Sequence, residues 1–545
     1  MPSSRFRPLH GLQSKTRFAK ALPALAALLL IAAASPLPAQ TAGAGPGRAS
    51  GALPALGDNT DLSPAAERRI GDRIAASIYR DADYVDDPVL VDYVQGVWQP
   101  LMAAARARGE LSAELDERFA WDVFLIRDRS INAFALPGGY MGVHLGLIAS
   151  VGSADELAAV LGHELSHITQ RHISRLMTQQ ARQAPWMIAA MVLGALAASK
   201  SPQAGSAAIV GGQALAAQGQ LDFSRDMERE ADRVGFGVMT DAGYSSRGVA
   251  SMFEKLQQAS RLNDNGAFPY LRSHPLTSQR IAEAQARVAS APPVRPSPEK
   301  LAEDSQAQAL HAMMAARARL LAAPGVDMQR TVLAEARRRA AAPQPPAAPI
   351  STSALAGDAG ALYGGVLAAA QLRDFATARS LLARLQPQVA GLGRAQKAAE
   401  WLSIEMDLLE GRAPAAPVAD LGKAASRAEL LLQAKALLAA NRAPQVAQAL
   451  QTWVAVHPKD AMAWQLLGAA LGQQGQSVRA IRADAESRAA QLDYAAALDR
   501  FKAAQGLMRS NPASADYVDG SIIDTRTRQV ESILKEQALE DKINR

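Results

Sequence analysis

The sequence predicts an α+β chain, mostly helical, in which a mixed domain with one small edge sheet precedes an all-α domain of helical repeats. Three observations carry this. Apolar residues make up 49% of the chain, charged residues 20% and aromatics only 5%, the composition of a folded protein that leans helical. Runs of β character are confined to residues 119–126 (FAWDVFLI) and 132–143 (NAFALPGGYMGV). A Pro/Ala-rich break, AAAPQPPAAPISTS, falls at about 340–353, and everything beyond it reads as helix–turn–helix. At 545 residues the chain exceeds one core. It has no cysteine, which excludes disulfides, thiolate metal sites, a cysteine nucleophile and a lipid-modified N-terminal cysteine.

Taken in order, residues 1–40 carry Arg5, Arg7, Lys15, Arg17 and Lys20 and no acid, then an apolar run at 21–34 and the small-residue stretch SPLPAQTAGAG. These are the three regions of a secretory signal peptide, with cleavage expected between residues 34 and 44. The apolar run is shorter than the roughly 20 residues a spanning helix needs. All but one unit of the net charge of +6 resides here, since the rest of the chain has 53 basic against 52 acidic residues. A near-neutral body offers no electrostatic case for nucleic acid. Export without cysteine points to a Gram-negative periplasm.

Residues 41–60 are a Gly/Ala/Pro-rich lead-in to a first domain at 61–290. Ser63-Pro64 supplies an N-cap and a first-turn proline, predicting a helix through Ile78. A second helix is expected over 88–108, a strand over 119–126, and two short strands around Pro137-Gly138-Gly139. From Asp155 the pattern is helical. APPVRPSPE at 291–299 marks the domain's end, and 291–353 reads as a linker with connecting helices.

The chemistry sits at His163-Glu164-Leu165-Ser166-His167. Two histidines four apart lie on one helical face, where both imidazoles can bind one tetrahedral Zn²⁺. Glu164 beside them can take a proton from water. A catalytic zinc needs a third protein ligand, and Glu228-Arg229-Glu230-Ala231-Asp232 offers one. Glu228 would ligate while Asp232, on the same face, accepts the other ring N–H of a ligand histidine. Glu230 rivals Glu228, but points about 200° away around the helix, so both cannot face the metal. His172 projects about 140° off the ligand face of an unbroken helix and reads as a surface or helix-end residue. His274, in Ser273-His274-Pro275-Leu276, precedes Arg280. Two roles are open to it: donor to a tetrahedral oxyanion, or a fourth zinc ligand that silences the site.

HELSH, EREAD and SHPLTSQR together resemble the gluzincin metalloproteases that include HtpX and the prenyl-protein proteases. NAFALPGGYMGVHLGLI with SADELAAVLGHELSHITQRH is closer to the soluble, periplasmic, barrel-assembly-enhancing branch of that family. The resemblance covers about residues 60–290. It implies a gluzincin-type metalloprotease domain with one zinc held by His163, His167 and Glu228, Glu164 as base, a regulatory His274, and an edge strand near residues 141–144 that pairs with extended substrate.

Residues 185–199 and 204–218 are two Ala/Gly-rich apolar runs, each short for a bilayer. They read as a helical hairpin that covers the active site, touches a membrane protein or lies in the core. Beyond the linker, residues 461–471 resemble the first helix of a tetratricopeptide repeat, and residues 492–504 and 372–382 a second helix. Residues 354–545 are therefore expected to be a tetratricopeptide-like domain, with the segment at 477–491 serving both its neighbours. Such an array provides a concave binding surface.

The expectation is a periplasmic zinc metalloendopeptidase, with His274 or Arg280 aiding the oxyanion. By resemblance it degrades unfolded or misassembled outer-membrane β-barrel proteins beside the barrel-assembly machinery, reached through the repeats, peripheral to the outer membrane. The alternative is mainly a chaperone or scaffold for barrel assembly with latent protease activity. A peptidoglycan-modifying zinc enzyme is disfavoured, because no cell-wall-binding repeat is visible.

Overall fold

The computed structural model describes residues 62–180, 224–262, 270–290, 297–341, 352–414, 421–511 and 517–543. The expected signal segment, residues 1–40, and the expected apolar hairpin at 185–218 lie outside them. No described helix is long and apolar enough to cross a membrane.

Helix α1 (Pro64–Tyr79) opens on Ser63, whose Oγ accepts from the Ala66 N–H, and α2 (Pro88–Ala107) opens on Asp87 in the same way at Leu90. A short α3 (Ala113–Arg118) leads into the sheet. Its strands are β1 (Tyr84–Val85), β2 (Asp122–Ile126), β3 (Ala133–Leu136) and β4 (Tyr140–His144), in the order β1-β2-β4-β3. β4 runs parallel to β2 with Val123 opposite Met141, and antiparallel to β3 with Ala135 opposite Met141. The expected edge at residues 141–144 is therefore corrected. β4 is paired on both sides and fully buried, and the outermost strands of the sheet are β1 and β3. The tight Pro137–Gly139 turn folds β3 back outside β4.

Short α4 (Leu145–Ser150) leads to α5 (Ala154–Thr169), capped by Ser153 and by Glu156, which accepts from the Gly152 N–H at 2.6 Å. Next come α6 (His172–Gln180), α7 (Arg225–Asp241), α8 (Arg247–Leu262), a single turn Tyr270–Ser273 and α9 (Ser278–Ser290). The connecting helices α10 (Pro298–Ala322) and α11 (Val326–Ala341) pack under α12 (Thr352–Gln371).

The remaining helices are α13 (Phe375–Val389), α14 (Arg394–Glu410), α15 (Arg427–Ala439), α16 (Ala443–Val456), α17 (Ala461–Gln473), α18 (Ser477–Ala490), α19 (Tyr494–Ser510) and α20 (Tyr517–Ile543). Successive members pack on one another, and α18 does lie against both α17 and α19. The α+β, mostly helical class stands.

One apolar core runs from Val85 to Leu432, so the two halves share an interior. Buried Arg317 on α10 grips Asp87 at 2.6 and 2.8 Å and Glu405 on α14 at 2.6 and 2.7 Å. Arg427 on α15 spans Asp86 and Asp460, all four contacts at 2.9 Å. At the far end, Glu540 on α20 pairs with Arg69 and Arg73 on α1 at 2.9 and 3.0 Å. The ring so closed surrounds a cavity of about 870 Å³ touched by Arg68 and Tyr140 on one side and Trp464, Arg482 and Arg526 on the other.

Candidate metal centre

Helices α5 and α7 cross at Gly162 and Gly235. A Cβ on Gly235 would lie 2.9 Å from the Gly162 backbone, so only glycine permits this approach. The close crossing carries Glu228, on the first turn of α7, to the two α5 histidines. His163 Nε2 lies 3.0 Å from His167 Nε2 and 3.5 Å from Glu228 Oε2, and His167 Nε2 lies 3.4 Å from Glu228 Oε1. From the turn after Tyr270–Ser273, His274 brings Nδ1 to 2.9 Å from Glu228 Oε1 and 3.3 Å from His163 Nε2. Tyr270 stacks on its ring at 4.7 Å.

All four side chains are buried, and their donor atoms lie within 4.8 Å of one another. Nitrogen bonds of about 2.0–2.1 Å put tetrahedral donors about 3.3 Å apart, which these separations match. Glu228 turns Oε1 to His167 and His274, while its Oε2 faces His163 at 3.5 Å. The residues fit a divalent metal.

Glu164 is fully buried, and its Oε2 accepts the Ala135 N–H from β3 at 2.9 Å. Its Oε1 has no hydrogen-bond partner and lies 3.4 Å from His274 Nε2. Burial pushes this carboxyl up, while His274 and His163 pull it back.

Behind the cluster, Asp232 Oδ1 lies 3.0 Å from His163 Nδ1, as the sequence spacing suggests. Arg280 donates from Nε and Nη2 to both Asp232 oxygens at 2.7 and 2.8 Å and from Nη1 to the Pro275 carbonyl at 3.0 Å. The same Nη1 stands 2.7 Å from Glu228 Oε2. Burial opposes the Asp232 charge, yet Arg280 and His163 hold it at about 2. Arg280 as an oxyanion donor is corrected: its guanidinium is turned to the carboxylates behind the ligands.

His172 also departs from its expected place. Helix α5 ends at Thr169, Arg171 takes a left-handed φ of 53°, and a new helix starts at His172. The projection along one unbroken helix therefore fails, and His172 is buried against His167, Nδ1 to Nδ1 at 2.9 Å. Glu230 faces His172 and Arg175, not the cluster.

A His-Glu-x-x-His helix crossed by a second helix carrying a glutamate, under a small mixed sheet, defines a metallopeptidase domain. Comparison with known proteins agrees and is more specific. Residues 94–288 match Peptidase family M48. Among relatives, the putative beta-barrel assembly-enhancing protease of Vibrio cholerae is 36% identical over 42% of this chain and 45% of its own. The beta-barrel assembly-enhancing protease of Escherichia coli K12 is 33% identical over 43% and 47%. That of Yersinia pestis is 29% identical over 80% and 84%. The chain spans about half the length of the first two relatives.

Proposed function

We propose that the protein is a periplasmic zinc metalloendopeptidase that degrades misfolded or stalled outer-membrane proteins and supports β-barrel assembly, its C-terminal helices forming a tetratricopeptide-like surface for the assembly machinery. The observation that carries the chemistry is the convergence of His163, His167, Glu228 and His274 beside the unpartnered Oε1 of Glu164. Three imidazoles and a carboxylate, without thiolate, suit zinc. When bound, zinc supplies Lewis acidity that polarises a peptide carbonyl and acidifies water. The chain does the rest. Ala135 pins Glu164 Oε2, which leaves Oε1 to take the proton of attacking water and pass it to the leaving amine. Apart from the Ala135 N–H given to Glu164, the outer edge of β3 offers an extended peptide main-chain hydrogen bonds, which select shape over sequence. The relatives' names support the barrel-assembly setting, and residues 1–40 support the periplasm.

His274 Nδ1 stands in the donor set, which favours a latent resting state and gives the chaperone reading its weight. The test is digestion of an unfolded barrel protein by the zinc-loaded, exported form. Glu164→Gln should abolish cleavage, and His274→Ala should raise it. Cleavage that survives Glu164→Gln would sink the mechanism. Barrel assembly that survives while cleavage stops would leave binding as the main task.

A further inference from the structure

We propose that His172 is a positioning residue: a hydrogen-bond relay from Glu230 through His172 sets the tautomer and ring orientation of His167. The inference rests on the cluster being a metal centre. His172 is fully buried at the head of α6. Its Nε2 lies 3.0 Å from Glu230 Oε2, and its Nδ1 lies 2.9 Å from His167 Nδ1. Arg175 Nη2 donates to the same Glu230 oxygen at 2.9 Å, holding the carboxylate in place.

Donor and acceptor roles along this line are not interchangeable. An ionised carboxylate only accepts, so the hydrogen between Glu230 and His172 belongs to His172 Nε2. The neutral ring then presents a lone pair at Nδ1, and the single hydrogen between the facing Nδ1 atoms belongs to His167. His167 is left with a bare Nε2, the atom that lies among the donor atoms of the cluster. Run the other way, the relay would aim a lone pair at the Glu230 carboxylate and put hydrogen on the metal-facing nitrogen.

His163 reaches the same tautomer by a shorter route, directly onto Asp232 at 3.0 Å. Residues 230 and 232 project to different sides of α7, and His172 spans the gap for the second ligand. The left-handed turn at Arg171, fixed by its contacts to Glu67 at 3.0 and 3.1 Å, places His172 there.

The test uses the full exported chain, with zinc affinity read by competition against a chromophoric chelator and geometry read from the visible spectrum of the Co²⁺-loaded form. His172→Leu should weaken zinc binding by about 10–100-fold and shift the Co²⁺ bands. His172→Gln should stay within a few-fold of wild type, since its amide can accept from His167 and donate to Glu230. Equal losses in the Leu and Gln variants, or wild-type affinity and spectrum in the Leu variant, would overturn the proposal. Should His172→Leu fail to fold, Glu230→Ala decides at a partly exposed side chain: unchanged affinity and spectrum overturn the relay. Wild type that binds no zinc overturns the metal reading as well, a failure distinct from a zinc-binding wild type with indifferent variants.

Discussion

His163 shows how strongly a ligand cluster acts on its own protons. Burial pulls its pKa down, but hydrogen bonds to Asp232 and Glu228 override this and hold it at about 10. Glu228 is held well below the usual carboxylate range, its burial outweighed by His274, His163 and His167. In the metal-free protein, therefore, His163 holds a proton within the candidate donor set. A folded pKa raised above the ordinary 6.5 stabilises the metal-free fold fully below that value and is lost as pH rises through about 10. Metal uptake has to displace this proton. Apparent zinc affinity should rise about tenfold per pH unit between pH 7 and 9, measured with a chelator calibrated at each pH. A flat profile would mean that His163 is already neutral there.

At the scale of elements, the contact of α5 with α7 decides whether the ligands meet. The atoms facing a new Cβ at Gly235 are the main chain of Gly162 and His163, all at 2.9 Å, with no flexible side chain to give way. Gly235→Val should push α7 outward, lower stability by about 1–3 kcal/mol and weaken zinc binding, because Glu228 retreats with its helix. Denaturant melts and chelator competition check the two effects separately. A variant that loses stability but keeps wild-type affinity would show that Glu228 is placed independently of the crossing. The same scale explains the sheet. The turn residues in the sequence marked both β3 and β4, but their lateral order was set by the Pro137–Gly139 turn and by β2 pairing parallel to β4.

Across the whole molecule, the metallopeptidase domain and the helical half are held as one body by two arginines that reach the same turn, Arg317 to Asp87 and Arg427 to Asp86. Arg317 is nearly inaccessible and also receives Glu405, while its Nη1 donates to the Tyr363 hydroxyl at 3.1 Å. Arg317→Met would strand two largely buried carboxylates, at a cost of about 3–5 kcal/mol. Equilibrium unfolding in denaturant measures it. A loss under 1 kcal/mol would mean that the shared core alone joins the halves. The Arg69–Glu540 and Arg73–Glu540 contacts are more exposed and should weaken with salt.

Much of this was legible in the residues. The Ser63-Pro64 and Ser153 caps, the four-residue spacing of His163 and His167, the partnership of Asp232 with a ligand histidine, and the helix pattern beyond residue 353 are local regularities, written in period and capping chemistry. What escaped is whatever depends on one break in that period or on a partner far along the chain. Arg171 leaves the helical region and turns His172 inward, Arg280 swings behind the ligands because Asp232 waits there, and β3 becomes the edge because β2 takes the other side of β4. The candidate ligands themselves were legible in the sequence. Which atoms face one another in the cluster, which carboxylate reaches which imidazole, and which strands lie outermost were decided by tertiary packing, because each depends on groups far apart along the chain meeting within a hydrogen bond's length, as Glu230 meets His172 across 58 residues and Glu228 meets His274 across 46.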